Sequence, residues 1–139
     1  MLILDTNTIS YYFRGVPSVV ARLQAQHPQD LAVPAIVEYE LRYGLLRLPP
    51  AQAKPRLQAL TQLLRAMQTL PFDRACADHA ANIRVALDAM GSPIGPHDVL
   101  IAATALRHRA TLVTRNLREF QRVAGLAVVN WHDDTAQAP

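Results

Sequence analysis

A chain of 139 residues, half of them apolar, can bury one hydrophobic core and lies within the usual size of one domain, so a single site is expected. Its net charge of +3 and pI near 9.5 are only mildly basic and give weak support for a nucleic-acid partner. No apolar run approaches the roughly 20 residues of a membrane span, and Met1 to Asp5 reaches an acid before a signal-peptide core could form, which leaves the cytoplasm as the expected location.

The kind of base is more telling than the net charge. Lys54 is the only lysine, and the other bases are arginines, whose planar fork binds phosphate through two parallel hydrogen bonds. Genome composition accounts for the same bias equally well, so the arginines remain supporting evidence. The lone Cys76 cannot form an internal disulfide and falls in an apolar stripe, which points to burial rather than reactivity.

Along the chain, Met1 to Leu4 is a short apolar run ended by Asp5, and Thr6 or Asn7 can cap a helix reaching Phe13. A second helix, Val19 to Gln26, precedes a strand at Leu31 to Val33. Pro34 then opens a third helix, which runs to Leu48 before Pro49 and Pro50 stop it. Ala53, Leu57, Leu60, Leu64 and Met67 recur at helical spacing, as do Cys76, Ala80, Ile83, Leu87 and Met90, and these two helices are expected to pack together. Between them, Thr69 to Phe72 reads as a strand that Pro71 would confine to an edge. After the loop Gly91 to Gly95, Pro96 starts a helix so apolar from Val99 to Leu106 that it must be buried. Thr111 to Thr114 and Leu126 to Val129 read as further strands. Strands alternating with helices predict an α/β fold with a central, mostly parallel sheet flanked by helices, spanning residues 1–132, with 133–139 a disordered tail.

In such sheets ligands bind beyond the carboxyl ends of the strands, where Asp5 and Asn116 both fall. An acid at a helix start is commonly only a cap, and Asp5 by itself would be read that way. Asp98, however, precedes Ile101, Ala102 and Ala105 by three, four and seven residues and so shares their core-facing side. Its attraction to the helix dipole, roughly 0.3–1 kcal/mol, does not cover the burial of an unpaired carboxylate. Glu40 borders the stripe Val37, Leu41, Leu45 and Leu48, and Gly44 one turn on is expected to leave room beside it. Glu38 points elsewhere on the same helix and is assigned to solvent or to Arg42. Converging carboxylates need a cation, and hard oxygen donors select magnesium or manganese over zinc. A water bound to that metal would attack a phosphodiester in line.

Four segments together resemble a PIN-domain nuclease: Leu4-Asp5-Thr6-Asn7; Glu40-Leu41-Arg42-Tyr43-Gly44; Ile94-Gly95-Pro96-His97-Asp98 with Ile101-Ala102; and Leu112-Val113-Thr114-Arg115-Asn116 with Glu119-Phe120. They stand in order over nearly the whole chain, and they are most similar to the VapC toxins of type II toxin-antitoxin pairs. The resemblance implies a PIN-like three-layer fold and a magnesium site for endoribonuclease activity, often against transfer RNA. Asp5, Glu40, Asp98 and Asn116 would build that site, Asn116 standing where the wider fold commonly has aspartate. It further implies a cognate antitoxin laid over apolar helical surface, and a homodimer; composition shows neither.

Around these residues, Thr6, Asn7 and Thr114 could orient ligands or serve simply as turn and cap residues. Arg115, Arg118 and Arg122 fall at helical spacing and could hold the RNA backbone, although a solvated basic face is the commoner meaning. His97 has no His or Cys partner in sequence and reads as a surface histidine. Two alternatives remain. Asp5-Thr6-Asn7-Thr8 nearly matches the two-aspartate motif of haloacid-dehalogenase-like phosphatases, with Asn7 where the second acid is needed, and a non-catalytic RNA- or partner-binding module would use metal only to neutralise the acids.

Overall fold

The computed structural model describes residues 1–132, and the expected tail, 133–139, lies outside them. Among the described residues the strands are β1 (Leu2–Leu4), β2 (Leu31–Pro34), β3 (Gln68–Leu70), β4 (Thr111–Val113) and β5 (Ala127–Val129). The helices are α1 (Thr6–Phe13), α2 (Pro17–Gln24), α3 (Ala35–Leu46), α4 (Pro50–Arg65), α5 (Arg74–Ala89), α6 (Pro96–Arg107) and the single turn α7 (Leu117–Phe120).

The strands form one parallel sheet in the order β3-β2-β1-β4-β5. The chain moves outward from β1 through β2 to β3, then returns across the sheet to β4, so the winding reverses between β1 and β4. Right-handed crossovers place α1–α4 on one face of such a sheet and α5–α7 on the other. Covered on both sides, the central strands are apolar throughout: Ile3, Leu4, Ala32, Val33, Leu112 and Val113 are all fully buried.

This geometry corrects one expected contact. The stripe of α5 packs on α6, whereas α4 packs on α3. A 3.6-residue repeat shows that a helix has a core face but not which helix covers it. Here β3 intervenes, and the reversal of winding after it separates α4 from α5. β3 is an edge strand as expected, but it ends at Leu70, so Pro71 lies beyond it. The apolar α6 is buried all the way round from Ile101 to Ala105, and Cys76 is buried in α5. There is open space around exposed Gly44, but an added Cβ would meet nothing, so the room beside Glu40 does not depend on the missing side chain.

The turn α7 is too short to hold itself, since one helical turn fixes more backbone than its hydrogen bonds return. Phe120, almost wholly buried in the main core, anchors it. Phe120→Ala should therefore cost about 3–5 kcal/mol in urea denaturation; a loss well below that would mean α7 is held by something else.

Candidate active site

The winding reverses between β1 and β4, and the carboxyl ends of strands at such a reversal are where doubly wound sheets bind ligands. Leu4 pairs with Val113 at this end, and the Asp5 amide donates to the Val113 carbonyl at 3.2 Å, so the residues after both strands emerge side by side. Asp5 is also the cap of α1, its Oδ1 accepting from the Thr8 amide at 2.8 Å. Capping and site roles do not compete here, because a carboxylate has two oxygens and several acceptor positions.

Hydroxyls hold the site residues in place. Buried Thr114 hydrogen-bonds the Asp5 carboxylate and accepts from the Asn116 amide at 3.0 Å, tying the end of β1 to the loop after β4. The Thr8 hydroxyl donates to the Val113 carbonyl at 3.2 Å. Thr6 donates to Glu40 Oε1 at 2.7 Å, joining α1 to α3. The orienting roles open to Thr6 and Thr114 in the sequence thus have contacts behind them. Asn7 is exposed.

His97 lies at the surface as expected, but it also has a partner that the sequence did not suggest. Its Nδ1 lies 3.0 Å from Glu40 Oε2, so the second Glu40 oxygen is engaged from α6 while Thr6 engages the first from α1. No neighbouring His or Cys in sequence signals this, because the partner is a carboxylate 57 positions away. Glu38 behaves as expected, pairing with Arg42 at 2.8 Å.

The electrostatics mark these acids as one group. Burial pushes the Asp5 carboxyl up, hydrogen bonds from Thr114 and Thr8 pull it back, and the charge of Glu40 raises it further. Asp98, half-buried, is pushed up to about 6 by burial first, then by the charges of Glu119, Asp5 and Glu40, with His97 opposing. Glu119 is the residue that sequence reasoning left out of the site. The available signal was its position three residues beyond Asn116, one helical turn away, on the same side as an already suspected group. Asn116 itself stands at the N-terminus of α7, where its side chain makes no capping hydrogen bond.

Among the described residues, no three Asp, Glu, His or Cys side chains stand close enough, as oriented here, to hold a metal ion. The donor chemistry nevertheless fits a hard cation: the available groups are carboxylates and an amide, they repel one another, and none is neutralised by Lys or Arg in the ion pairs observed. Asp5, Glu40, Asp98 and Glu119 therefore share an electrostatic environment without forming a closed ligand set.

The sign of the pH dependence follows. Between its ordinary value of 3.8 and about 6, Asp98 in the folded, metal-free chain keeps a proton that the unfolded chain has lost. Stability must therefore fall as pH rises through that window. Melting in chelator should show this fall, Glu119→Gln should move it to lower pH, and Asp98→Asn should flatten it; a slope of opposite sign would disprove the arrangement.

Four similarities place the chain among known proteins. The PIN domain family model matches residues 2–126. The tRNA(fMet)-specific endonuclease VapC of Salmonella typhimurium is 30% identical over 129 residues, covering 92% of this chain and 96% of that protein. Toxin FitB of Neisseria gonorrhoeae is 39% identical over 140 residues, covering 96% and 100%. In structure, VapBC2 from Rickettsia felis, bound to a DNA fragment from its promoter, superposes with a TM-score of 0.85 at 30% identity, covering 94% of this chain and 98% of that one. PIN-domain nucleases of this kind depend on metal, and the phosphatase reading of Asp5-Thr6-Asn7-Thr8 falls with the match. The chain belongs to the PIN-domain family and, within it, to the VapC toxins.

Proposed function

We propose that the chain is a magnesium- or manganese-dependent endoribonuclease, the toxin of a type II toxin-antitoxin pair, acting on RNA and specifically on transfer RNA. The observation that carries the reading is the gathering of Asp5, Glu40, Asp98 and Glu119 around the reversal of winding, where Asp5 follows β1 beside the loop that carries Asn116 and Glu40 is held by Thr6 and His97. A bound divalent cation supplies Lewis-acid stabilisation of charge on a phosphoryl group and a more acidic water at neutral pH. Asp5, Asp98 and Glu40 would hold it, with Asn116 contributing a neutral oxygen and Glu119 adding negative charge beside Asp98. Thr8 and Thr114 orient Asp5, while Thr6 and His97 orient Glu40. The names of the relatives support RNA as substrate, and the VapBC2 structure supports a cognate antitoxin as partner. A homodimer and a cytoplasmic location complete the reading; no helix among the described residues is long and apolar enough to cross a membrane.

A non-catalytic binding module would bind RNA without turnover. The proposal instead expects RNA cleavage with magnesium or manganese and none in chelator. Asp5→Asn, Glu40→Gln and Asp98→Asn should each lower the rate by on the order of 100-fold or more, without loss of the folded state. Undiminished cleavage in chelator would rule out the metal mechanism, and unfolding of all three variants would make the acids structural.

Asn116 gives a separate test of the site's boundary. An added carboxylate at this position strengthens cation binding and repels Asp5 and Asp98 when no cation is present. Asn116→Asp should lower the melting temperature in chelator and enlarge the rise on adding magnesium. A metal-dependent rise equal to that of the parent would put Asn116 outside the metal site.

A further inference from the structure

Three arginines near the end of the chain fall at helical spacing, but the fold sends two of them in different directions. α7 covers only Leu117–Phe120, so Arg115 precedes the helix and Arg122 follows it. Arg122 Nη1 donates to the Pro93 carbonyl at 3.2 Å, toward the loop before α6. Arg115 turns the other way: its Nη1 donates to the Tyr11 hydroxyl at 3.2 Å, and its guanidinium lies 5.6 Å from the centre of the Tyr11 ring. Arg14, from the C-terminal cap of α1, brings a second guanidinium to 6.0 Å from the same ring centre.

From this we infer that Arg14 and Arg115, gathered around Tyr11 at the rim of the acid site, form a cradle for a backbone phosphate of the RNA, a few nucleotides from the cleaved bond. The inference rests on the nuclease reading above and adds a binding subsite to it.

The ring is built into the fold rather than left to choose its place. Thr8, one helical turn before Tyr11, bonds the Val113 carbonyl, so this side of α1 faces the loop that carries Arg115 and Asn116. The edge of His132 packs against Tyr11 with ring centres 4.6 Å apart. His132 is held in turn by the Ser18 hydroxyl, which donates to its carbonyl at 2.7 Å, and by its own amide, which donates to Asn130 Oδ1 at 2.8 Å. The aromatic face attracts both cations and limits the orientations their forks can take.

Position supplies the function. Arg115 is one residue from Asn116, and through Tyr11 it is joined by Arg14 from the far end of the helix that Asp5 caps, roughly 12 Å along the axis, so the pair of exposed cations marks a path leading away from the acids. A polyanion approaching a cluster of carboxylates meets repulsion, which cations at the rim offset while fixing the register of the strand. Planar guanidinium forks match phosphate oxygens in geometry as well as charge.

The test measures anisotropy of a short fluorescein-labelled single-stranded RNA against salt, in chelator so that cleavage is held off. Arg14→Gln with Arg115→Gln should weaken binding and flatten the slope of log affinity against log salt by roughly 0.7 per lost phosphate contact. Arg122→Gln should leave the slope near that of the parent. Arg14→Lys with Arg115→Lys should recover most of the slope, which separates lost charge from damage to the fold. An unchanged slope in the double Gln variant overturns the cradle, as does an equal effect from Arg122→Gln. Loss of antitoxin binding at an unchanged RNA slope also overturns it and assigns the patch to a protein partner. Cleavage with magnesium is scored separately: a parent that binds with a cradle-dependent slope yet never cleaves sinks the nuclease reading and leaves the cradle standing.

Discussion

Mutual repulsion among carboxylates is the constraint around which this molecule is arranged. Asp5 is buried, Asp98 is half-buried, and Glu40 and Glu119 add like charge from two other elements. Each would be better solvated apart from the others, and burial of charge without a partner is among the larger penalties a fold can carry. The sheet imposes their proximity all the same. Its reversal of winding leaves β1 and β4 adjacent, and the residues after them emerge at one edge whatever charge they bear. A fold that concentrates unfavourable charge at one point is stable only because the rest of its core is almost entirely apolar and closely covered on both faces.

The acids are restrained by hydrogen bonds from threonines and, at Glu40, by the His97 ring rather than by a lysine or arginine. The Thr8 amide and the Thr114 side chain bond Asp5, while the Thr6 hydroxyl bonds Glu40 and thereby links α1 to α3. A hydroxyl orients a carboxylate without cancelling its charge, so the site keeps its attraction for a cation. A lysine or arginine in the same place would have neutralised it. The arginines are instead kept at the rim, where Arg115 and Arg14 meet Tyr11, or turned to other loops, as Arg122 is. Acid centre and basic rim are thus separated by only a few residues along the chain, a spacing that suits a reaction on a polyanion at a cationic cofactor.

Much of this was legible before any coordinates. The strand ends at Asp5 and before Asn116, the core-facing placement of Asp98, the choice of Glu40 over Glu38 and the buried α6 all follow from local periodicity, which depends only on neighbours in sequence. The motifs in order over nearly the whole chain carried the family. Periodicity also named the correct faces of α4 and α5, except that Met90, the last member of the α5 stripe, falls just past the helix and is exposed, and there its reach ended.

Tertiary structure decided which faces meet. It set α5 against α6 and α4 against α3, because crossover handedness and strand order act over distances that a helical repeat does not encode. It brought His97 to Glu40 across 57 positions and placed the Glu119 charge near enough to raise Asp98, relations that exist only once α3, α6 and α7 converge. It also broke the apparent stripe of Arg115, Arg118 and Arg122, since α7 is a single turn pinned by Phe120 and no longer helix exists to align them. The residue types and their local faces therefore came from the chain itself, through steric and hydrophobic preferences acting within a few residues. The partners of those faces came from the winding of the sheet, which only the folded chain possesses.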